Sequence, residues 1–376
     1  MSGAGLTSVI PVDGPAARML RHRLFWPSLV LVVLLLTNLA FTHNFFDVQL
    51  REGHLYGSLI DILRGASALA LVSLGMTMVI ATGGIDLSVG SVMAISGALA
   101  CLQISDLENQ NSVTGVAFAV LLSLGLGLVL GLWNGLLVAV LKIQPIVATL
   151  ILMVAGRGLA QLITDGQIIT VVSSPYKQIG AGYLATLPVC VLIVVVVVAV
   201  SGLIVRRSAL GMLVESVGAN PTAGRLAGIQ SRRLVLTAYV FAAFCAAIAG
   251  LIYSSNVSSA DGNNTGNLIE LDAILAVVIG GTALTGGRFS IGGSILGSII
   301  ITTLDITVYT IGVPTDTTLL FKAVVVIVLC LLQSPSFRAR VFGRRRPRPG
   351  GPPSSDQPEG PTRGPERVEA AEGVTA

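Results

Sequence analysis

Thr82-Gly83-Gly84-Ile85-Asp86-Leu87-Ser88-Val89-Gly90-Ser91 interrupts an apolar stretch that otherwise runs from residue 58 to residue 103. The runs on either side are each close to the roughly 20 residues that a helix needs to cross a hydrocarbon layer about 30 Å thick. Two adjacent glycines break the helix, and Asp86 and Ser88 follow, each able to cap a new helix start. A freed backbone or a carboxylate is too costly against lipid, so the break must face protein or a watery cavity. The stretch therefore reads as a broken membrane helix inside a bundle, with Thr82, Gly83, Gly84, Asp86 and Ser88 as candidate walls of a polar route. The competing reading is a structural turn whose Asp86 only caps the next helix.

Composition supports the membrane assignment. Apolar residues make up 53% of the 376-residue chain and charged residues 11%. A water-soluble domain of this size needs roughly twice that charge to cover its surface. Apolar runs predict spans at 25–42, 58–82, 85–103, 113–141, 146–164, 188–205, 234–256, 270–284, 290–311 and 318–334, about ten in all. The fold class is thus all-α, a polytopic transmembrane bundle.

Charge gives the orientation. Basic residues gather at 18–23, 206–233 and 338–348, and with ten spans all three clusters fall on one side, the cytoplasm. Both termini are then cytoplasmic. Residues 1–24 form a cytoplasmic N-terminal segment, 25–335 the membrane domain and 336–376 a disordered tail rich in Pro, Gly, Ser, Arg and Glu. The first run follows a basic segment without a clear small-residue cleavage site and reads as a retained anchor. The net charge of +4 comes from flanks of spans and implies no nucleic-acid partner.

The break has an echo. Thr285-Gly286-Gly287-Arg288-Phe289-Ser290-Ile291-Gly292-Gly293-Ser294 matches 82–91 at five of ten positions, and both follow an inward-running helix. Duplicated halves with glycine-broken helices are a property of transport folds near their pathways.

Other candidates are single. Gly127, Gly131 and Gly135 make a smooth helix face for close packing, and Asn134 beside it either lines the route or donates an interhelical hydrogen bond. Arg157 and Asp305 are intramembrane charges, each requiring a partner or water. In the loop 206–233, Asn220 or Thr222 can cap a short helix near 221–227 that Gly228 stops, a natural docking knob or else a basic stretch on the membrane surface.

The four cysteines, Cys101, Cys190, Cys245 and Cys330, have no metal or redox spacing and read as small core residues. His22, His43 and His54 lie outside the spans, so the sequence holds no intramembrane histidine relay. It has no G-x-x-x-x-G-K-[ST] loop, zinc-type helix motif or G-x-S-x-G. A nucleotide site of that type, a metal or a catalytic constellation is not expected in this chain. Active transport would draw on an ion gradient or on another subunit.

The segment 75–91, together with Trp133-Asn134-Gly135, Ala155-Gly156-Arg157-Gly158, 211–229 and 270–281, resembles the ribose/xylose-type permease family of ABC sugar importers. The likeness runs over about residues 55 to 335, with the motifs in the same order. Within it, 141–145, 161–164 and 166–168 are most similar to the galactofuranose-importing branch, although Ile146 stands where many relatives carry Phe.

The resemblance implies a monosaccharide importer of the galactofuranose or ribose type in a bacterial cytoplasmic membrane. A cytoplasmic ATPase would use the ATP, so this chain would bind no cofactor and be no enzyme. A second permease chain, identical or related, would complete the pore, and an extracytoplasmic sugar-binding protein would deliver the cargo. The ATPase would dock on the loop through Glu215, Gly218, Asn220, Arg225 and Gly228, and Thr82, Gly83, Gly84, Asp86, Ser88, Asn134 and Arg157 would line the path. An ion-coupled secondary sugar transporter is the alternative, weakened by the sparse intramembrane acids.

Overall fold

The computed structural model describes residues 25–41, 45–51 and 53–312, with isolated positions between 317 and 331. The segment 1–24, most of the expected span 318–334, Cys330 and the tail 336–376 lie outside the described residues. Helices dominate the rest. They are α1 (Phe25–Phe41), α2 (Ser58–Ala81), α3 (Val89–Ser105), α4 (Val113–Ala139), α5 (Pro145–Ile163), α6 (Ser174–Ala181) and α7 (Val189–Arg207). After these come α8 (Leu210–Ala219), α9 (Pro221–Leu226), α10 (Ser231–Val257), α11 (Ile269–Ile279) and α12 (Ile291–Ile311).

Among the described residues, six helices are long and apolar enough to cross a membrane, namely α2, α4, α5, α7, α10 and α12. The spans expected at 85–103 and 270–284 are shorter helices. α3 starts at Val89 and α11 stops at Ile279, because the two glycine breaks take the residues between. Gly83, Gly286 and Gly287 hold φ of 83°, 86° and 91°, which an L-residue with a Cβ rarely adopts.

α2 is the axis of the bundle, and every residue from 66 to 81 is buried. Its neighbours are α10, α12, α11 and α7, together with α8 at its C-terminal end. Polar ties replace the hydrophobic effect where lipid offers none. The Thr77 and Ser294 hydroxyls are hydrogen-bonded at 2.7 Å, joining α2 to α12. Asn38 Nδ2 donates to Thr307 Oγ1 at 2.6 Å, joining α1 to α12.

The glycine stripe of α4 packs as the sequence predicts, and its partner is the alanine-rich face of α10. A Cβ added at Gly131 would lie 2.7 Å from Ala243 Cβ and 2.9 Å from Val240 Cα, well inside normal carbon contact. Cys101, Cys190 and Cys245 are buried free thiols in the core.

Short strands close one end of the bundle. β3 (Ile168–Thr170) pairs antiparallel with β6 (Ser259–Asp261), Ile168 opposite Asp261, fastening the connection after α5 to that after α10. Beneath them the Tyr176 hydroxyl of α6 is hydrogen-bonded to Ser254 Oγ at 2.6 Å. Two hairpins meet beside this end, β1 (Gln49–Arg51) with β2 (His54–Tyr56) and β4 (Tyr183–Leu184) with β5 (Leu187–Pro188). Leu55 N donates to Thr186 O at 3.1 Å across them.

The opposite end carries α8 and α9. The sequence predicts one short helix in the 206–233 loop, and the structure has two. α8 owes its existence to tertiary packing, since Val214 joins Met78, Val79, Ala81, Ala238 and Tyr239 in one buried cluster.

Candidate functional site

The site is built around the first break. α2 ends at Ala81, and Thr82 turns its hydroxyl back to donate to Val79 O at 2.8 Å. Gly83 N donates to Ile80 O at 2.8 Å, so the chain leaves the helix in a tight turn. Thr82, Gly83 and Gly84 then form part of the wall of an open cavity of about 700 Å³, together with Arg225 and Gly228 from the α8–α10 segment.

Asp86, Ser88 and Asn134 lie deeper, each only 1% exposed. Asp86 Oδ1 accepts from Ser88 N at 2.9 Å and from Ser88 Oγ at 2.6 Å. Asn134 Nδ2 of α4 donates to Ser88 Oγ at 2.8 Å. The three predicted residues thus form one relay of hydrogen bonds.

The capping expectation is corrected in detail. Ser88 occupies the N-cap of α3 without a side-chain cap bond, and Asp86 takes the Ser88 amide rather than one inside the helix. Two more helices hold the break. Leu87 N donates to Thr149 Oγ1 of α5 at 3.1 Å, and Tyr239 OH of α10 donates to Ile85 O at 3.4 Å.

The second break meets the end of the helix that carries the first. Gly287 N donates to Ala81 O at 3.0 Å, a backbone bond from the second Thr-Gly-Gly to the residue just before the first. Gly218 of α8 lies directly on that bond. A Cβ there would collide with Ala81 O and sit 2.5 Å from Gly287 N, so only glycine allows this approach.

The remaining loop residues flank this junction. Glu215, half-buried on α8, helps line a second open cavity of about 850 Å³ with Arg206, Arg207 and Phe289. Of the two caps the sequence offers, the structure uses Asn220, its Oδ1 accepting from Thr222 N and Ala223 N at 3.0 Å each. Gly228, at φ 81°, stops α9 and donates its amide to Arg225 O at 3.0 Å. Met212 and Leu226 stand 68% and 87% exposed beside it, apolar side chains offered outward from this end.

Arg157 forms a separate group. Its Nη1 donates to Thr265 O at 2.6 Å and its Nη2 to Gly266 O at 3.4 Å, holding the connection between β6 and α11 against α5. Glu270, 2% exposed, and Asp261 act on it electrostatically. The structure does not bring Arg157 to Asp86, Ser88 or Asn134. Asp305 is half-buried on α12.

Residues 58–330 match the family model described as "Branched-chain amino acid transport system / permease component". The chain belongs to this permease family. It is 46% identical over 345 residues to the galactofuranose transporter permease protein YtfT of Escherichia coli (strain K12), covering 90% of this chain and 98% of that protein. It is 39% identical to the fructose import permease protein FruF of Bifidobacterium longum (strain NCC 2705), over 88% and 93% of the two chains. The ribose import permease protein RbsC of Bacillus subtilis (strain 168) is 37% identical, over 73% of this chain and 84% of that one. No solved structure matches. Permease components are transport subunits, and the long apolar helices make this permease a multi-pass membrane protein.

Two residues of the site escape a reading of the sequence, and a third is visible without its partner. Tyr239 sits within an apolar run with nothing to distinguish it. Glu270 opens an apolar run and is buried, with Oε2 lacking a hydrogen-bond partner, and an acid at the head of a span is its one available signal. Gly287 is visible as part of the repeat, but its partner is not.

Proposed function

We propose that this permease is the membrane-spanning subunit of an ATP-driven importer for a monosaccharide of the galactofuranose or ribose type. The family description names amino acids, whereas relatives matched over most of their length are named for galactofuranose, fructose and ribose import, which favours sugar. The basic clusters at 18–23, 206–233 and 338–348 support ten spans, with both termini and the α8–α9 segment in the cytoplasm of a bacterial cell. A cytoplasmic ATPase uses the ATP, a second permease chain completes the pore and an extracytoplasmic binding protein supplies the sugar. The chain itself holds neither cofactor nor ATPase site.

The observation that carries this reading is the position of Gly218. A docking subunit that moves α8 moves it against both glycine breaks at once, through the Ala81–Gly287 hydrogen bond. That is a mechanical link from a cytoplasmic surface to both repeats. Glu215, Asn220, Arg225 and Gly228 shape the docking surface. Thr82, Gly83 and Gly84 face the opening of the route. Asp86, Ser88 and Asn134 brace the break from inside, and Arg157 fixes the opposite end of the route.

The test is reconstitution. Vesicles holding the permease with its ATPase and sugar-loaded binding protein take up labelled sugar only with ATP, and a panel of unlabelled sugars identifies the cargo by competition. Uptake by the permease alone, driven by an ion gradient, would overturn the reading.

A further inference from the structure

The cavity beside the first break, onto which the proposed route opens, carries charges that a neutral sugar does not call for. Four cationic residues line it, Lys142 from the α4–α5 connection, Arg225 from α9, and Arg232 and Arg233 from the first turn of α10. Among the described residues no acid lines it. The Ser231 hydroxyl oxygen, also on its wall, is buried and has no hydrogen-bond partner. Lys142 is held at φ 58°, a left-handed conformation uncommon for a residue with a side chain.

The position of the cavity narrows the ligand. Val140 and Leu141 immediately before Lys142 are 48% and 64% exposed, and Ile146 just after it is 43% exposed, so exposed apolar surface adjoins the cavity. Basic pockets between helix ends, opening beside hydrocarbon, suit a phosphate group with acyl chains attached. A soluble acidic protein segment would meet the cations but gain nothing from that apolar edge.

We propose that this cavity binds the phosphate-bearing headgroup of an anionic phospholipid, with Lys142, Arg232 and Arg233 pairing the phosphate. Because Gly83, Gly84 and Tyr239 share the same wall, a bound headgroup rests on the first break and stabilises one arrangement of it. The inference rests on the membrane orientation proposed above but not on the identity of the cargo, and its test measures lipid binding without ATPase or sugar.

The purified permease is titrated with phosphatidylglycerol or phosphatidylcholine, and retained lipid is counted by native mass spectrometry. One phosphatidylglycerol is expected to bind in preference to phosphatidylcholine. Each basic residue near such a headgroup is worth roughly fivefold in affinity, so Lys142→Gln with Arg233→Gln weakens binding by roughly twenty-five-fold. Arg206→Gln with Arg207→Gln, which removes equal charge from the second cavity, leaves binding unchanged. Equal losses in the two double variants would overturn the proposal by making the preference one of net charge. Protection of the cavity by inorganic phosphate at the affinity of the lipid would assign the site to a soluble anion instead. A charge requirement seen only in ATPase assembly, with no lipid preference, would assign it to the partner protein.

Discussion

The amide of Gly287 donates to the carbonyl of Ala81 across 3.0 Å, binding the second glycine break to the end of the helix that carries the first. Gly218 closes over this bond with no room for a methyl group. Gly218→Ala therefore forces α8 away from the junction, and overpacking of this kind costs about 1–3 kcal/mol. The reconstituted importer is expected to keep hydrolysing ATP while uptake falls at least about tenfold, the 1.4 kcal/mol equivalent of a lost mechanical link. Parallel measurement of ATP turnover and labelled-sugar uptake checks this. Unchanged coupling would remove Gly218 from the mechanism.

Ser88→Ala cuts the Asp86–Ser88–Asn134 relay in its middle. It deprives Asp86 Oδ1 of its side-chain donor and leaves Asn134 Nδ2 buried without an acceptor. Orphaned buried polar groups cost about 1–3 kcal/mol. A thermal-unfolding scan in detergent should show a lower midpoint for Ser88→Ala than for Ser208→Ala, whose hydroxyl is exposed. Equal midpoints would mean that the relay contributes nothing to holding the break.

On α4, two glycines separate packing from composition. Gly131→Val drives a side chain into Ala243 and Val240, whereas Gly125→Val meets nothing within 4 Å. The first is expected to destabilise by about 1–3 kcal/mol and the second to be close to neutral. Thermal midpoints of the two variants, measured side by side, decide the point.

Arg157→Lys keeps the charge but loses the planar fork that reaches both Thr265 O and Gly266 O. The connection between β6 and α11 should then open more readily. Faster amide hydrogen exchange over 262–268, with exchange in α2 unchanged, is the expected result.

Much of the fold is legible in the sequence, because a membrane helix writes itself as an apolar run. The glycine stripe of α4 and the Asn220 cap are legible for the same reason, since each is a local pattern with one physical meaning. α8 is not. Leu210–Ala219 carries two glycines, and only burial of Val214 against α2 and α10 makes it a helix. The site can be read as a set of residues but not as an arrangement. Asp86, Ser88 and Asn134 each stand out singly, yet the bond from α4 to α3 spans 46 positions of sequence. The charge of Arg157 calls for a partner or water, and its direct partners are two backbone carbonyls, which every residue possesses and no motif can mark.

The complete burial of α2 from 66 to 81 has a consequence for how the protein is made. Its serines, threonine and glycine leave the ribosome before α10, α11 and α12, the helices that will cover them, have been synthesised. During that interval α2 must wait in the bilayer, or in the care of the insertion machinery, with Ser67, Ser73 and Thr77 still unpacked. Assembly of this chain therefore waits on the residues from 231 onward, and a ribosome stalled before residue 231 would leave its central helix without a home.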